Sequence, residues 1–270
     1  LYGLGARLFA VAEPGEALEV RQACGGDALV LGMIAPDQME TAVREGVIAT
    51  AYDIDQARQL DASAKRVGKK ARAHVKLDTG MHRLGFMTDE MSELVDFLSG
   101  TDAVKVKSVY SHLAAADDPQ QDEFTLGQIS LFRQNADMLA QALGYRPLYH
   151  ILNSAGIERF PEYQFDMVRL GIGIYGVSAI PGNRLSPVAS FKCKVLQVKT
   201  LKPGDGTIGY GRRGKISPEG TVIATIPVGY ADGVDRHLSC GKGYFTINGH
   251  RVPTIGNICM DMTMLDVTGV

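Results

Sequence analysis

Short apolar runs recur through the first two-thirds of the chain, at Phe9–Ala12, Leu29–Gly32, Ile48–Tyr52, Ala71–Asp78, Val104–Leu113, Leu148–Ser154 and Met167–Gly176. Between them lie Glu16–Gln22, Asp37–Arg44, Asp53–Lys65, Thr88–Leu98 and Asp122–Leu143, whose apolar positions return every three or four residues. The runs read as strands and the intervening segments as amphipathic helices. Such alternation calls for parallel strands joined by crossover helices, in a doubly wound sheet or a (β/α)8 barrel. Seven strands are legible, one short of a barrel. Tyr2-Gly3-Leu4-Gly5 reads as the loop that follows a strand, so the remaining strand is expected just ahead of Leu1. Too few residues separate that loop from the strand at Phe9 for a crossover of at least ~10–12 residues, so a further stretch is expected to be absent between Ala6 and Phe9.

After Gly176 the pattern changes. Phe191, Cys193 and Val195 alternate with Lys192 and Lys194, Pro203-Gly204-Asp205-Gly206 is a turn cluster, and Thr221–Val228 reads as a strand. Asn248-Gly249 between Tyr244–Ile247 and His250–Pro253 is a hairpin signal. The expected fold class is therefore α/β: a (β/α)8 TIM-like barrel lacking its first strand over residues 1–180, then an incomplete, mainly β domain over 181–270. The boundary is expected near Ile180–Ser186, where Pro181, Gly182, Asn183 and Pro187 cluster.

Composition narrows the function. Lys and Arg total 28 against 30 Asp and Glu, a formal charge of −2, which leaves no basic surplus for nucleic acid or an anionic membrane. No apolar run approaches the ~18 residues of a membrane span and no leader opens the chain, so a cytoplasmic protein is expected. Cys24, Cys193, Cys240 and Cys259 are scattered, without CxxC pairs or histidines at ligand spacing, so neither disulfides nor a metal site is expected.

Candidate chemistry gathers at strand ends. Alternation along Ala71–Asp78 puts His74, Lys76 and Asp78 on one face and Val75 and Leu77 on the other. In a barrel the apolar face packs on helices, so the ionisable face lines the lumen; an exposed edge strand is the blander reading. Arg83 follows in the loop at that strand's C-terminal end. The next strands run into Ser111-His112-Leu113 and Asn153-Ser154-Ala155, and the last carries Arg169-Leu170-Gly171-Ile172-Gly173. Each is weak alone, since a strand-end histidine is commonly structural. Together they place His, Arg, Ser and glycine backbone at one barrel mouth. The last two strand ends are where barrels commonly bind phosphate, so a phosphorylated ligand held by Ser154 and the Gly171–Ile172 amides is expected.

Read in order, Lys76-Leu-Asp-Thr-Gly-Met-His-Arg-Leu-Gly85, Ser111-His112, Asn153-Ser154, Val168-Arg169-Leu-Gly171-Ile172, Gly209-Tyr210-Gly211-Arg212, Val228-Gly229-Tyr230-Ala-Asp-Gly233 and Cys259-Met-Asp-Met262 resemble the signature segments of bacterial alanine racemases. Seven ordered motifs spanning nearly the whole chain make the resemblance specific. It implies a pyridoxal 5'-phosphate enzyme that interconverts L- and D-alanine by two bases, supplying D-alanine for cell-wall peptidoglycan. It further implies a head-to-tail homodimer in which one subunit's β domain completes the other's site.

The resemblance implies Tyr210, from the partner subunit, as one base. The other is the family's Schiff-base lysine, four residues before the tyrosine that Tyr2 matches, and so ahead of Leu1. A further β-segment of the family would follow Val270. Arg169 would face the pyridine nitrogen, with His112 nearby; Tyr2, Asn153, Ser154, Gly171 and Ile172 would bind the cofactor. Arg83 would sit by the substrate carboxylate, with Tyr230, Met260 and Asp261 lining the pocket. Lys76 would be carbamylated, turning a lumen cation into an anion able to hold Arg83. His82 stands where the family often has glycine. Three alternatives remain: a racemase of another small amino acid such as serine, since one extra group changes a pocket's preference by only ~1–3 kcal/mol; a basic amino-acid decarboxylase, which would place a carboxylate where Arg169 stands; and a noncatalytic pyridoxal-phosphate-binding relative if the lysine is missing.

Overall fold

The computed structural model describes residues 1–178, 180–182 and 185–270; Asn183 of the expected boundary cluster lies outside them. The chain divides into two compact units, Leu1–Val188 and Ala189–Val270.

In the first unit six strands form one parallel sheet in chain order: β1 (Leu8–Val11), β2 (Asp27–Val30), β3 (Ile48–Ala51), β4 (Ala71–Lys76), β5 (Val104–Tyr110) and β6 (Leu148–His150). Helices α1 (Pro14–Cys24), α2 (Pro36–Arg44), α3 (Ile54–Val67), α4 (Met91–Ser99) and α5 (Asp122–Leu143) join consecutive strands, and α6 (Ser154–Arg159) follows β6. Local signals set their ends. Glu16 accepts from the Glu13 amide at 3.1 Å to open α1, and Asp53 accepts from Gln56 N at 2.7 Å to open α3. Gly68 and Gly144 close α3 and α5 with left-handed backbones.

The alternation expected along β4 is present. Ala73, Val75 and Leu77 pack into the apolar clusters beneath the helices, while His74 and Lys76 are buried on the opposite face. β5 departs from plain alternation. Its pairing with β4 slips between Ala73 and His74, so Val106 and Val109 both enter the core, Lys107 is exposed, and Ser108 and Tyr110 stand opposite His74 and Lys76. One inserted residue has re-aimed the end of the strand.

Two expected strands differ. Met167–Gly176 forms no strand: the amides of Asp166 and Arg169 donate to the carbonyls of Tyr149 and Leu152, and Ile172–Tyr175 is a 3-10 turn. The amides of Gly171 and Gly173 are spent on Ser154 Oγ, leaving no ladder there. In the second unit Phe191–Val195 lies exposed without a strand partner, and the strand begins at Gln197. Alternation specifies a strand only where one face is covered.

That unit holds a three-stranded antiparallel sheet with β10 (Thr221–Ile226) between β7 (Gln197–Leu201) and β13 (Thr263–Asp266). A short pair, β8 (Thr207–Ile208) and β9 (Gly214–Lys215), and a hairpin, β11 (Tyr244–Ile247) and β12 (His250–Pro253), complete it. The hairpin turns on Asn248 and Gly249, at φ 50° and 83°, the positive pair that a two-residue turn requires.

After β4 the chain loops back upon itself: Asp78 N donates to Phe86 O and Phe86 N to Lys76 O, both at 2.9 Å. Gly85 makes this approach feasible, since at φ 130° a Cβ would fall 2.6 Å from Asp78 N and 2.7 Å from Leu77 C. Gly85→Ala is expected to reduce unfolding free energy by about 2 kcal/mol or more, through strain plus clash. Gly68→Ala, at φ 70° in open space, should lose only about 1 kcal/mol. Equal losses in urea unfolding would contradict the backbone-contact argument.

Candidate active site

At the C-terminal ends of β4, β5 and β6 the first unit encloses a cavity of about 740 Å³, lined among others by Lys76, Arg83, Tyr110, His112, Ser154 and Arg169. Its organising group is the Arg169 guanidinium. Nη1 donates to His150 Nδ1 at 2.8 Å and His150 O at 3.2 Å; the two hydrogens of Nη2 are shared among Ser111 O at 2.6 Å, Ile151 O at 2.9 Å and His112 Nδ1 at 3.3 Å. Among the described residues no carboxylate pairs with it. Burial lowers its pKa to about 10, so it remains a cation at neutral pH. Among the described residues Nε–H has no hydrogen-bond partner.

Because a guanidinium only donates, both imidazole Nδ1 atoms facing it must accept. His150 therefore carries its proton on Nε2 and donates to Ser108 Oγ at 3.0 Å. His112 likewise presents Nε2–H. Both rings are held neutral: burial, then the Arg169 and Arg83 cations, push His112 down to about 4, and burial with Arg169 pushes His150 well below the usual range. His74, whose Nδ1 has no hydrogen-bond partner, is pushed down to about 3 by burial and the Arg72 and Arg169 cations.

Tyr110 supplies an aromatic face. It stacks on His150 with centroids 4.9 Å apart, and both Arg169 Cζ (5.2 Å) and Lys76 Nζ (5.7 Å) lie near its ring. Its hydroxyl is fixed, since Thr50 donates to Val30 O at 2.7 Å and so accepts from Tyr110 at 3.1 Å. Lys76 is buried, and burial followed by the Arg83 and Arg169 cations lowers it to about 8. Asp78, expected on the same face, is drawn into its own loop: Oδ1 accepts from the amides of Gly80 and His82. Burial alone would raise that carboxyl, but these bonds and His82 hold it below the ordinary value. His82 has φ 51°, a left-handed backbone that glycine adopts without strain.

An anion cradle lies on the far side. Ser154 Oγ accepts from Gly171 N (3.1 Å) and Gly173 N (3.2 Å), so its own hydrogen is free to donate. The Ile172 amide, at the first position of its 3-10 turn, faces no intrahelical carbonyl. These donors fit a phosphate. Asn153 lines the cavity but spends its side chain on structure, accepting from Gly156 N and donating to Leu113 O.

The expected residues of the first unit thus converge, except Tyr2, which sits in a 3-10 turn with Arg7 over its ring and does not line the cavity. Tyr210, Tyr230, Met260 and Asp261 belong to the second unit and are exposed. Tyr210 is presented between Gly209 and Gly211, both at positive φ, and Asn257 Nδ2 holds its carbonyl at 2.9 Å. Tyr230 and Met260 are brought side by side by bonds from Tyr230 N to Cys259 O and from Ala231 N to Met260 O. Tyr110, His150 and Thr50 were not among the expected site residues. Only His150 had a visible cue, its place within a strand that runs into the mouth.

Comparison with known proteins agrees with this arrangement. The family described as alanine racemase, N-terminal domain, matches residues 1–179, and that described as alanine racemase, C-terminal domain, matches 188–270. The alanine racemase of Clostridium novyi (strain NT) is 36% identical over 98% of this chain and 70% of its own length. That of Syntrophobacter fumaroxidans is 37% identical over 100% of this chain and 72% of its own. The solved alanine racemase of Clostridium difficile 630 superposes with a TM-score of 0.87 at 30% identity, over 99% of this chain and 70% of that one. The Bartonella henselae alanine racemase, solved with covalently bound pyridoxal phosphate, gives 0.86 at 28% identity, over 100% of this chain and 74% of that one.

The neutral histidines make stability pH-dependent. Unfolded imidazoles titrate near ~6.5. Below that pH the unfolded chain takes up protons that native His74, His112 and His150 refuse, down to about 4 for His112 and about 3 for His74. Stability is therefore expected to fall as pH drops from 6.5 towards 4, by up to ~1.4 kcal/mol per unit for each fully buried ring. His74→Leu should flatten the fall between pH 7 and 5 in urea titrations; an unchanged slope would remove His74 from the account.

Proposed function

The chain belongs to the alanine racemase family, and on that footing we propose how its residues divide the work of the reaction. The reaction is pyridoxal-phosphate-dependent interconversion of the enantiomers of alanine. The observation that carries the division of roles is the half-buried Arg169, whose Nη1 and Nη2 are saturated by neutral acceptors while Nε–H has no partner among the described residues, beside a donor-only cradle.

When bound, the cofactor supplies a conjugated ring that spreads the electron pair left at the substrate Cα. Ser154 and the Ile172 amide would hold its phosphate, with Gly171, whose amide is committed to Ser154 Oγ, and Asn153 shaping their loop. Arg169 would face the pyridine nitrogen; a group that keeps its proton discourages ring protonation and so tempers the electron sink. Arg83 holds the substrate carboxylate. Lys76, lowered to about 8, has a neutral amine fraction at physiological pH. That amine adds to carbon dioxide, forming an N–C bond and releasing one proton, and the carbamate then pairs with Arg83.

Racemisation takes the Cα proton from one face and returns it to the other, so two bases act. Tyr210 is one. We assign the other to the Schiff-base lysine that membership of the family implies. A head-to-tail homodimer brings Tyr210, Tyr230, Met260 and Asp261 of one subunit to the cavity of its partner. Their joint exposure, 68% for Tyr210 and 55% for Met260, supports that surface being covered. No helix among the described residues is long and apolar enough to cross a membrane; a cytoplasmic setting is part of the proposal.

In a polypeptide carrying that lysine, Tyr210→Phe is expected to slow racemisation of both enantiomers by ~10²–10⁴-fold. Exchange of the Cα hydrogen with solvent deuterium should survive for one enantiomer and be nearly lost for its mirror image. Symmetric loss would take Tyr210 out of the reaction. Mixing Tyr210→Phe with Arg169→Ala subunits should restore activity in one mixed site per dimer, and failure to complement would argue against sharing.

A further inference from the structure

Helix α5 turns a buried seam towards the barrel, formed by Thr125, Gln128, Ile129, Phe132, Asn135, Ala136 and Leu139. Gln128, 2% exposed, is a polar group in an apolar setting, and a buried amide is costly unless paired. Its side chain is spent on two loops of the site. Oε1 accepts from Ala114 N at 3.0 Å, and Nε2 donates to His112 O at 3.2 Å and to Thr79 Oγ1 at 3.4 Å. Thr79 Oγ1 lies 2.8 Å from Ser111 Oγ. Among the described residues no other hydrogen bond reaches the His112 carbonyl or the Ala114 amide.

We propose that Gln128 is a positioning residue for His112: it clamps the 111–114 turn from outside the barrel while Arg169 holds it from within. The His112 ring reaches Arg169 through one bond of 3.3 Å, whereas the preceding Ser111 carbonyl is held at 2.6 Å. A shift of the whole His112 residue away from Arg169, pivoting on the shorter Ser111 bond, would keep the second bond and break the first. Gln128 opposes that shift, because it anchors the carbonyl of His112 itself and the amide of Ala114 two residues on. Thr79, in the loop leading to Arg83, joins the clamp through Ser111 and so couples the two loops. The catalytic part of this inference rests on the role given above to Arg169, which the His112 ring contacts; the clamp itself does not.

The test uses the full protein, selectively ¹⁵N-labelled at histidine, first without cofactor. In the wild type the His112 ring should show the Nε2-protonated tautomer. Gln128→Met keeps the length and loses every polar contact, so the ring should pass to a mixture of tautomers. Once loaded with pyridoxal phosphate, that variant should lose roughly 10- to 100-fold in kcat with a smaller change in KM, as a misplaced group near the chemistry does. Gln128→Glu keeps the acceptor for Ala114 N but donates to His112 O only when protonated. Its kcat, as a ratio to the wild type, should therefore rise as pH falls from 8 to 6.

Unchanged His112 signals in folded Gln128→Met, or a flat Gln128→Glu ratio, would overturn the proposal. If Gln128→Met does not fold, the Gln128→Glu profile decides. A wild type with the expected tautomer but no racemisation would count against the role assigned to Arg169, while the ring signals of the variants would still decide the clamp.

Discussion

A half-buried guanidinium that, among the described residues, has no carboxylate beside it sets the terms for everything around it. Taking Arg169 out of water forfeits several kcal/mol of hydration, and the site recovers it from neutral acceptors alone: three strand-end carbonyls and two imidazole nitrogens. Parallel strands ending at one mouth bring such carbonyls together, which is why this cation is housed at the C-terminal ends of β5 and β6. A carboxylate partner would have lowered the energy of the cation and cancelled the field it projects. Burial first, and that field second, keep His112 and His150 neutral and, with Arg83, weaken the proton on Lys76, while the guanidinium's donors fix the two tautomers.

The inner face of the sheet is accordingly polar yet uncharged except where it meets ligands. Thr50, Ser108, Tyr110 and His150 are linked in short hydrogen-bonded chains whose donors and acceptors are assigned by their neighbours. Such chains lock the rings as apolar packing would not, because rotating one member unpairs the next. The apolar side chains lie on the outer face, under α2 to α5. Stability and chemistry thus occupy opposite faces of the same strands.

Much of this was legible in the sequence and some was not, for physical reasons. The β/α alternation, the lumen face of β4, the Asn248-Gly249 hairpin and the convergence of Arg83, His112, Ser154 and Arg169 follow from local periodicity and turn chemistry. The slip in β5 does not, because one inserted residue reverses the phase of alternation and only the pairing with β4 reveals it. Phe191–Val195 alternates as a strand would, but alternation carries no information about whether a partner covers it. Met167–Gly176 reads as a strand because glycine and apolar residues conceal where the amides of Gly171 and Gly173 go. Gln128 is invisible for a related reason: a glutamine within an amphipathic helix counts as part of its wet face until the fold shows it buried.

The cradle at Ser154 has a consequence for the molecules this cavity accepts. With both acceptor positions of that hydroxyl already taken by the Gly171 and Gly173 amides, its hydrogen is directionally committed. The free polar groups of Arg169, Arg83 and His112 are likewise hydrogen-bond donors, and among the described lining residues Asp117 is the one acid. The cavity is in effect a filter for acceptor-rich, negatively charged shapes. A chemical probe that exchanges an oxyanion or a bare ring nitrogen for an amine or an N–H group would set donor against donor at Ser154 and Arg169.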